Sequence, residues 1–333
     1  MSSNESLLRK ADLALSDLTS NGGVLLPEQG AAFIRKLIKQ PVLIKRCRVV
    51  EMMSPKRYIN KIGFGTRILR AATSGVALGA PSTTGLGGRA KPTTEQIQLS
   101  TREQIAEVRL PYDVLEDNIE RATAAGNEPP NTGPGGLRDT LIDMIAERAA
   151  LDTEELGLLA DTTYTNGSDA DDQAFLSQVD GWLKLTSANG NVLDATGLAT
   201  SGITKTVFKD ALKTLPVQYQ RNKAALNHFV SVNTETDYRD SLADRGTTLG
   251  DTMVQGTGPV YAFGSPVTPV AMMPDSKALY TDPMNLIFGI QRQVSMEYDK
   301  DITARVYIIV LTMRIDFQIE ETQAAVYTDN IGA

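Results

Sequence analysis

The chain has 333 residues and a mass of 36.0 kDa, with a formal net charge of -7 and an isoelectric point near 5.0. Hydrophobic residues at 41% and charged residues at 22% are a globular balance that excludes a disordered or collagen-like chain and allows one elaborate domain or two ordinary ones. One Cys (Cys47) and one His (His228) exclude a disulfide framework, a multi-Cys metal site and most zinc sites, and the acidic total argues against a surface that wraps DNA on all sides.

The N-terminus carries no apolar segment behind a basic start, so no export signal is expected. Leu7, Leu8, Ala11, Leu15 and Leu18 predict a helix over 5–20, ended by Gly22-Gly23. Pro27 suits the first turn of a second helix, whose stripe is Phe33, Ile34, Leu37 and Ile38 and which Pro41 stops. Two strand-like arms follow, over about 57–70 and 96–110. In the second, Ile97, Leu99, Thr101, Glu103 and Ile105 share one parity while Val108 and Leu110 take the other, which predicts a bulge or a change of buried face. Between the arms lies a small-residue stretch, 71–88, that reads as a flexible tip containing Gly75, Gly79, Gly85, Gly87 and Gly88. Such a hairpin needs a surface to lie on.

A helix is expected over 111–121, a Pro/Gly loop over 127–136, and a long helix over 137–160 built on Leu137, Leu141, Ile145 and Ala149, with Glu154 and Glu155 facing solvent or a partner. Beyond Gly181 the pattern alternates: a helix over 204–215, a strand over 226–232, a helix capped by Asn233, short strands punctuated by Pro over 260–290, and strands around 294–298, 306–310 and 313–319. The run Val306–Met313 is far shorter than the ~20 residues of a membrane-spanning helix.

Signatures of catalysis are missing: no complete phosphate-binding glycine loop, no G-x-S-x-G, no H-E-x-x-H. Lys45, Arg46 and Arg48 beside Cys47 would lower its thiol pKa, but no base is near it in sequence. Asp169, Asp171 and Asp172 read as a solvated loop, and His228 as a packed or edge residue. No catalytic residue, cofactor or metal is expected. Charge segregation stands out instead. Residues 29–70 sum to +10, with Arg35, Lys36, Lys39, Lys45, Arg46, Arg48, Lys56 and Arg57 among them, and residues 138–180 sum to -9, with Asp139, Asp143, Glu147, Glu154 and Glu155 among them. Opposite clusters on separate elements can meet within one chain or between copies.

The text Tyr261-Ala-Phe-Gly-Ser-Pro-Val267, Met273-Pro274, Ala278–Ile287 and Gly289–Glu297, with Arg314–Ile319 and Ala324–Tyr327 at the end, resembles the major capsid proteins of tailed bacteriophages, which share the Hong Kong 97 capsid fold. The resemblance implies an α+β chain: an N-terminal arm at 1–55, an extended E-loop at 56–110, a peripheral domain at 111–175 and 290–328 with 137–160 as its spine helix, and an axial domain at 176–289. It implies a non-enzymatic shell protein of the virion that assembles in the host cytoplasm into hexamers and pentamers of an icosahedral shell around double-stranded DNA. A portal, a decoration protein and, because only about 20 residues precede the arm, a separate scaffolding protein are the partners it implies; no membrane is among them. The basic arm is expected to meet the acidic spine of another copy or the DNA. An encapsulin-like nanocompartment shell is the alternative.

Overall fold

The computed structural model describes residues 42–64, 68–69, 79–82, 88–90, 92–111, 137–198, 203–243 and 258–332. The expected helices over 5–20, 27–40 and 111–121 and the loop over 127–136 lie outside these residues.

The chain enters the described structure through a tight turn at 43–47, where the amides of Arg46 and Cys47 both donate to the carbonyl of Leu43 (2.9 and 3.2 Å). Strand β1 (Arg48–Glu51) follows, then β2 (Lys56–Gly63), β3 (Gly79–Ser82), β4 (Gly88–Ala90), β5 (Thr93–Ser100) and β6 (Arg102–Pro111). β2 and β5 pair antiparallel from Lys56↔Ser100 to Gly63↔Thr93 and form a separate two-stranded hairpin. Within the expected tip, β3 and β4 pair parallel through Gly79↔Gly88.

Helix α1 (Leu137–Leu159) matches the expected spine in extent. Two short helices come next. In α2 (Ala170–Leu176), Asp169 accepts from the amides of Asp171 and Asp172, so the expected acidic loop is a capped helix start. Helix α3 (Trp182–Asn189) begins on Gly181. Then come β7 (Asn191–Asp194), α4 (Lys205–Thr214), β8 (Asn227–Val230), α5 (Val232–Ala243), β9 (Val260–Ala262), β10 (Ser265–Pro269) and β11 (Ala278–Thr281). Ser231, rather than Asn233, caps α5: its hydroxyl accepts the amide of Thr234 at 3.0 Å, and Asn233 instead donates to Asp275. The end of the chain is a long hairpin of β12 (Leu286–Asp301) and β13 (Val306–Ile319), followed by β14 (Val326–Asp329). Asp301 closes the β12–β13 turn by accepting the amides of Thr303 and Ala304.

Two larger sheets organise these elements. The first has the order β1-β12-β13-β6 and the second β7-β14-β11-β8-β10-β9. In β13, Ile309, Leu311, Met313, Ile315, Phe317 and Ile319 are all buried, while the residues between them are half-buried. That period-2 face meets Leu156 and Leu158 of α1 and Trp182 of α3 in the main core. Trp182 is fully buried, meets Phe317 edge to face at 5.1 Å, and donates its indole N–H to the Gln318 carbonyl at 3.1 Å. Gly157 permits this approach: a Cβ there would stand 2.9 Å from the Phe317 ring and 3.0 Å from Trp182.

The second sheet packs on α4 through Val207, Phe208 and Ala211, and on α5 through Tyr238. His228 lies within this sheet, stacked on Tyr280 at 4.0 Å and edge-on to Phe208 at 4.8 Å. Burial lowers its pKa to about 3. The ring is therefore neutral at physiological pH, as a packed residue should be.

Candidate assembly surfaces

The turn at 43–47 is anchored in the body. Leu43 and Cys47 are buried in the main core. Glu154 of α1 is 2% exposed, and its carboxylate accepts the amides of Val42, at 2.8 Å, and Leu43. This corrects the expectation that Glu154 faces solvent or a partner: the residue ties the turn to α1 of the same chain. Two backbone donors offset the cost of burying the charge. Cys47 departs from expectation for the same reason. Its basic sequence neighbours point outward, its thiol donates to the Ile44 carbonyl at 3.0 Å, and burial, with the nearby Glu154 charge, pushes its pKa up to about 12. A thiol so held is unreactive at neutral pH.

The expected basic residues divide. Arg46 donates to Thr268 at 2.9 Å, Arg48 pairs with Glu320 at 2.8 Å, and Arg57 donates to the Glu51 carbonyl at 2.5 Å. Lys45 and Lys56 are exposed. Arg35, Lys36 and Lys39 lie outside the described residues, as do Gly75, Gly85 and Gly87 of the tip. Gly79 and Gly88 are paired in β3 and β4.

On α1 the acidic residues are crowded together. Arg148 pairs with Asp152 at 2.8 Å. Glu147 and Glu155 are half-buried. Burial, and then the charge of Asp152, raises the pKa of Glu155, with Asp172 adding to the effect. Burial likewise raises Asp152 against the pull of Arg148. The backbone at Asp139 and Asp143 is helical, and the described residues end there for their side chains.

The hairpin is the element that projects. Its strands join the first sheet through residues 52–55 and through Thr101 alone. Thr101 donates its amide to the Pro55 carbonyl at 2.9 Å, its hydroxyl lies 2.8 Å from Gln291 Oε1, and the amide of Ser100 donates to Asp316 at 2.6 Å. Burial raises Asp316 to about 6. Leu99 is fully buried with Val50, Met52 and Ile287, and Ile59 packs against them. It sits over Gly289, where a Cβ would come within 3.2 Å of it. The opposite face of the hairpin is exposed and mixed: Tyr58, 56% accessible, and Ile62, 71%, alternate with Lys56 and Asn60 and stand across from Gln98 and Thr94 of β5.

The sequence reading passed over three residues that matter at this junction, Glu321, Asn285 and Asp316. Their one signal was position: Asn285 and Asp316 stand in the stretches that carry the family resemblance, and Glu321 follows directly after the second.

No family model matches the chain. It is 37% identical, over 96% of its own length and 96% of the other's, to the protein named prophage capsid protein YqbE in Bacillus subtilis (strain 168). The chain belongs to the prophage capsid protein family. Its fold agrees: the capsid of the native GTA particle superposes with a TM-score of 0.61 at 16% identity, over 96% of this chain and 100% of that one. A chain from Microbacterium phage Oxtober96 gives 0.54 at 13%, over 96% and 99%. The SrpI encapsulin of Synechococcus elongatus PCC 7942 gives 0.56 at 10%, over 96% of both chains. This α+β capsid protein thus has the Hong Kong 97-like fold expected from its C-terminal text.

Proposed function

We propose that this capsid protein is the repeating subunit of an icosahedral phage head that encloses double-stranded DNA. The observation that carries the reading is its near full-length kinship with a prophage capsid protein. The β2–β5 hairpin supports it, because a two-stranded sheet that leaves Tyr58 and Ile62 exposed is poorly stable alone and gains by lying on another copy. In this reading residues 1–55 are the arm, 56–110 the E-loop, 111–175 with 290–328 the peripheral domain and 176–289 the axial domain. The subunits form hexamers and pentamers in the host cytoplasm, with scaffolding, portal and decoration proteins as partners, and end in the virion. The role is geometric and not catalytic: many repeated contacts, each weak enough to correct itself, close a shell. The crowded carboxyls around Asp152, Glu155 and Asp172 suit a basic segment of a neighbour.

The likeness to an encapsulin favours a second reading, a shell around protein cargo. Electron microscopy of the overexpressed protein, alone and with its neighbouring virion proteins, separates the possibilities. Closed icosahedral particles that hold DNA are expected. Particles that hold only protein would select the encapsulin reading, and subunits that never close under any condition would overturn both.

A further inference from the structure

The β2–β5 hairpin touches the body at two kinds of contact, and they differ in character. Near its base Leu99 packs over Gly289 among apolar side chains, a contact that tolerates small rotations. Four residues further out along β2, Lys61 pairs with Glu321 of the body and reaches Glu95, its cross-strand neighbour on β5, at 3.4 Å. Ile59 packs on the same cluster, so at the ~3.3 Å rise of a strand residue this tie lies about 7 Å beyond the last apolar contact, and it has leverage over the hairpin's direction.

Glu321 is held ready for the tie. Its amide donates to the side chain of Asn285 at 2.8 Å, and the Asn285 amide group donates back to the Glu321 carbonyl at 2.9 Å and to Thr281 at 3.1 Å. Tyr219 stands beside Glu321, its pKa raised by burial and then by the Glu321 charge. Lys61 stays charged: burial pulls its pKa down, and the acceptance and charge of Glu321, with Glu95, outweigh this and hold it above the usual lysine value.

The surroundings of the tie are open. On one side lies a cleft of about 400 Å3 reaching Leu226 and Met284, and on the other a cleft of about 500 Å3 reaching Phe64 and Arg221. Lys61, Tyr219 and Glu321 line both. Among the described residues at this level of the hairpin, the bridge to the body is an ion pair set between two clefts.

We infer that Lys61 and Glu321 form a latch that sets the direction of the hairpin, and that breaking it frees the hairpin to swing about the Leu99 contact. The inference rests on the shell reading for its purpose, since the hairpin's direction decides where a neighbouring copy is met. The latch itself belongs to the single subunit. An ion pair about one quarter exposed responds to salt, whereas the Leu99 contact does not.

The test places spin labels on unassembled protein at Ile62→Cys and Val217→Cys, both exposed in the wild type. The buried native Cys47 stays unlabelled. Pulsed spin-distance measurement is expected to give one narrow distribution, broadened and shifted to longer distance by Lys61→Met, by Glu321→Gln and by 1 M salt. Lys61→Arg, which keeps the charge, restores the narrow distribution. Lys61→Met and Glu321→Gln proteins that melt like the wild type and keep its distribution would overturn the latch. Failure of the shell reading has a different sign: subunits that stay single under every assembly condition, whatever the label distances.

Discussion

Glu154 removes a carboxylate from water and gives it two backbone amides in return. Glu154→Ala leaves both donors buried without that acceptor, and the expected loss of unfolding free energy is about 1–3 kcal/mol, read by denaturant melting. Glu154→Gln keeps an amide oxygen as acceptor and is expected to lose less. Exchange of the Val42 and Leu43 amides checks the cause, and should quicken in the alanine variant before the sheets open. The inward aim of Glu154 was not legible beside Glu155. Both sit in one acidic helical run, and the partner that distinguishes them arrives from 111 residues earlier in the chain. Cys47 carries the same lesson. Its sequence neighbours argue for a low thiol pKa, and desolvation, which belongs to tertiary structure, reverses the sign.

At the scale of elements, periodicity served best where one face of one element is buried along its whole length. The helix over 204–215 and the strand over 313–319 were legible for that reason. The second arm was legible only in part. Of the two expectations, a bulge or a change of buried face, the second holds, because the chain leaves one sheet for another at Thr101. Before that residue Leu99 points inward. After it Gln104 points inward and Ile105 is 68% exposed. Leu99→Ala is expected to cost about 2–5 kcal/mol, the range for a buried leucine truncated over partners that cannot collapse onto it. The loss should be local, with exchange quickening along β2 and β5 while β12 and β13 keep their protection.

Across the whole molecule, the modest total of -7 conceals a basic N-terminal portion and an acidic middle. The family was readable from the order of elements and the C-terminal text, whereas the pairing of charges was not. Part of the basic portion is satisfied within the chain, through Arg46, Arg48 and Arg57. The triple variant Lys36→Glu, Lys39→Glu, Lys45→Glu probes the basic portion's role in assembly. It is expected to reduce particle yield or DNA retention, with the wild-type protein losing the same property as salt rises. Particle counts and packaged DNA at two ionic strengths check this, and an unchanged variant would place the assembly contacts elsewhere.

The register of the first sheet also governs when a subunit can exist at all. Arg48 waits for Ile287 and Arg102 for Ile315, so this sheet joins segments more than two hundred residues apart. Such non-local pairing folds slowly. The sheet cannot close until β13 has emerged from the ribosome, so the supply of assembly-competent subunits is timed by the synthesis of that strand. Crowded ribosomes on one message therefore carry chains that cannot yet join a shell.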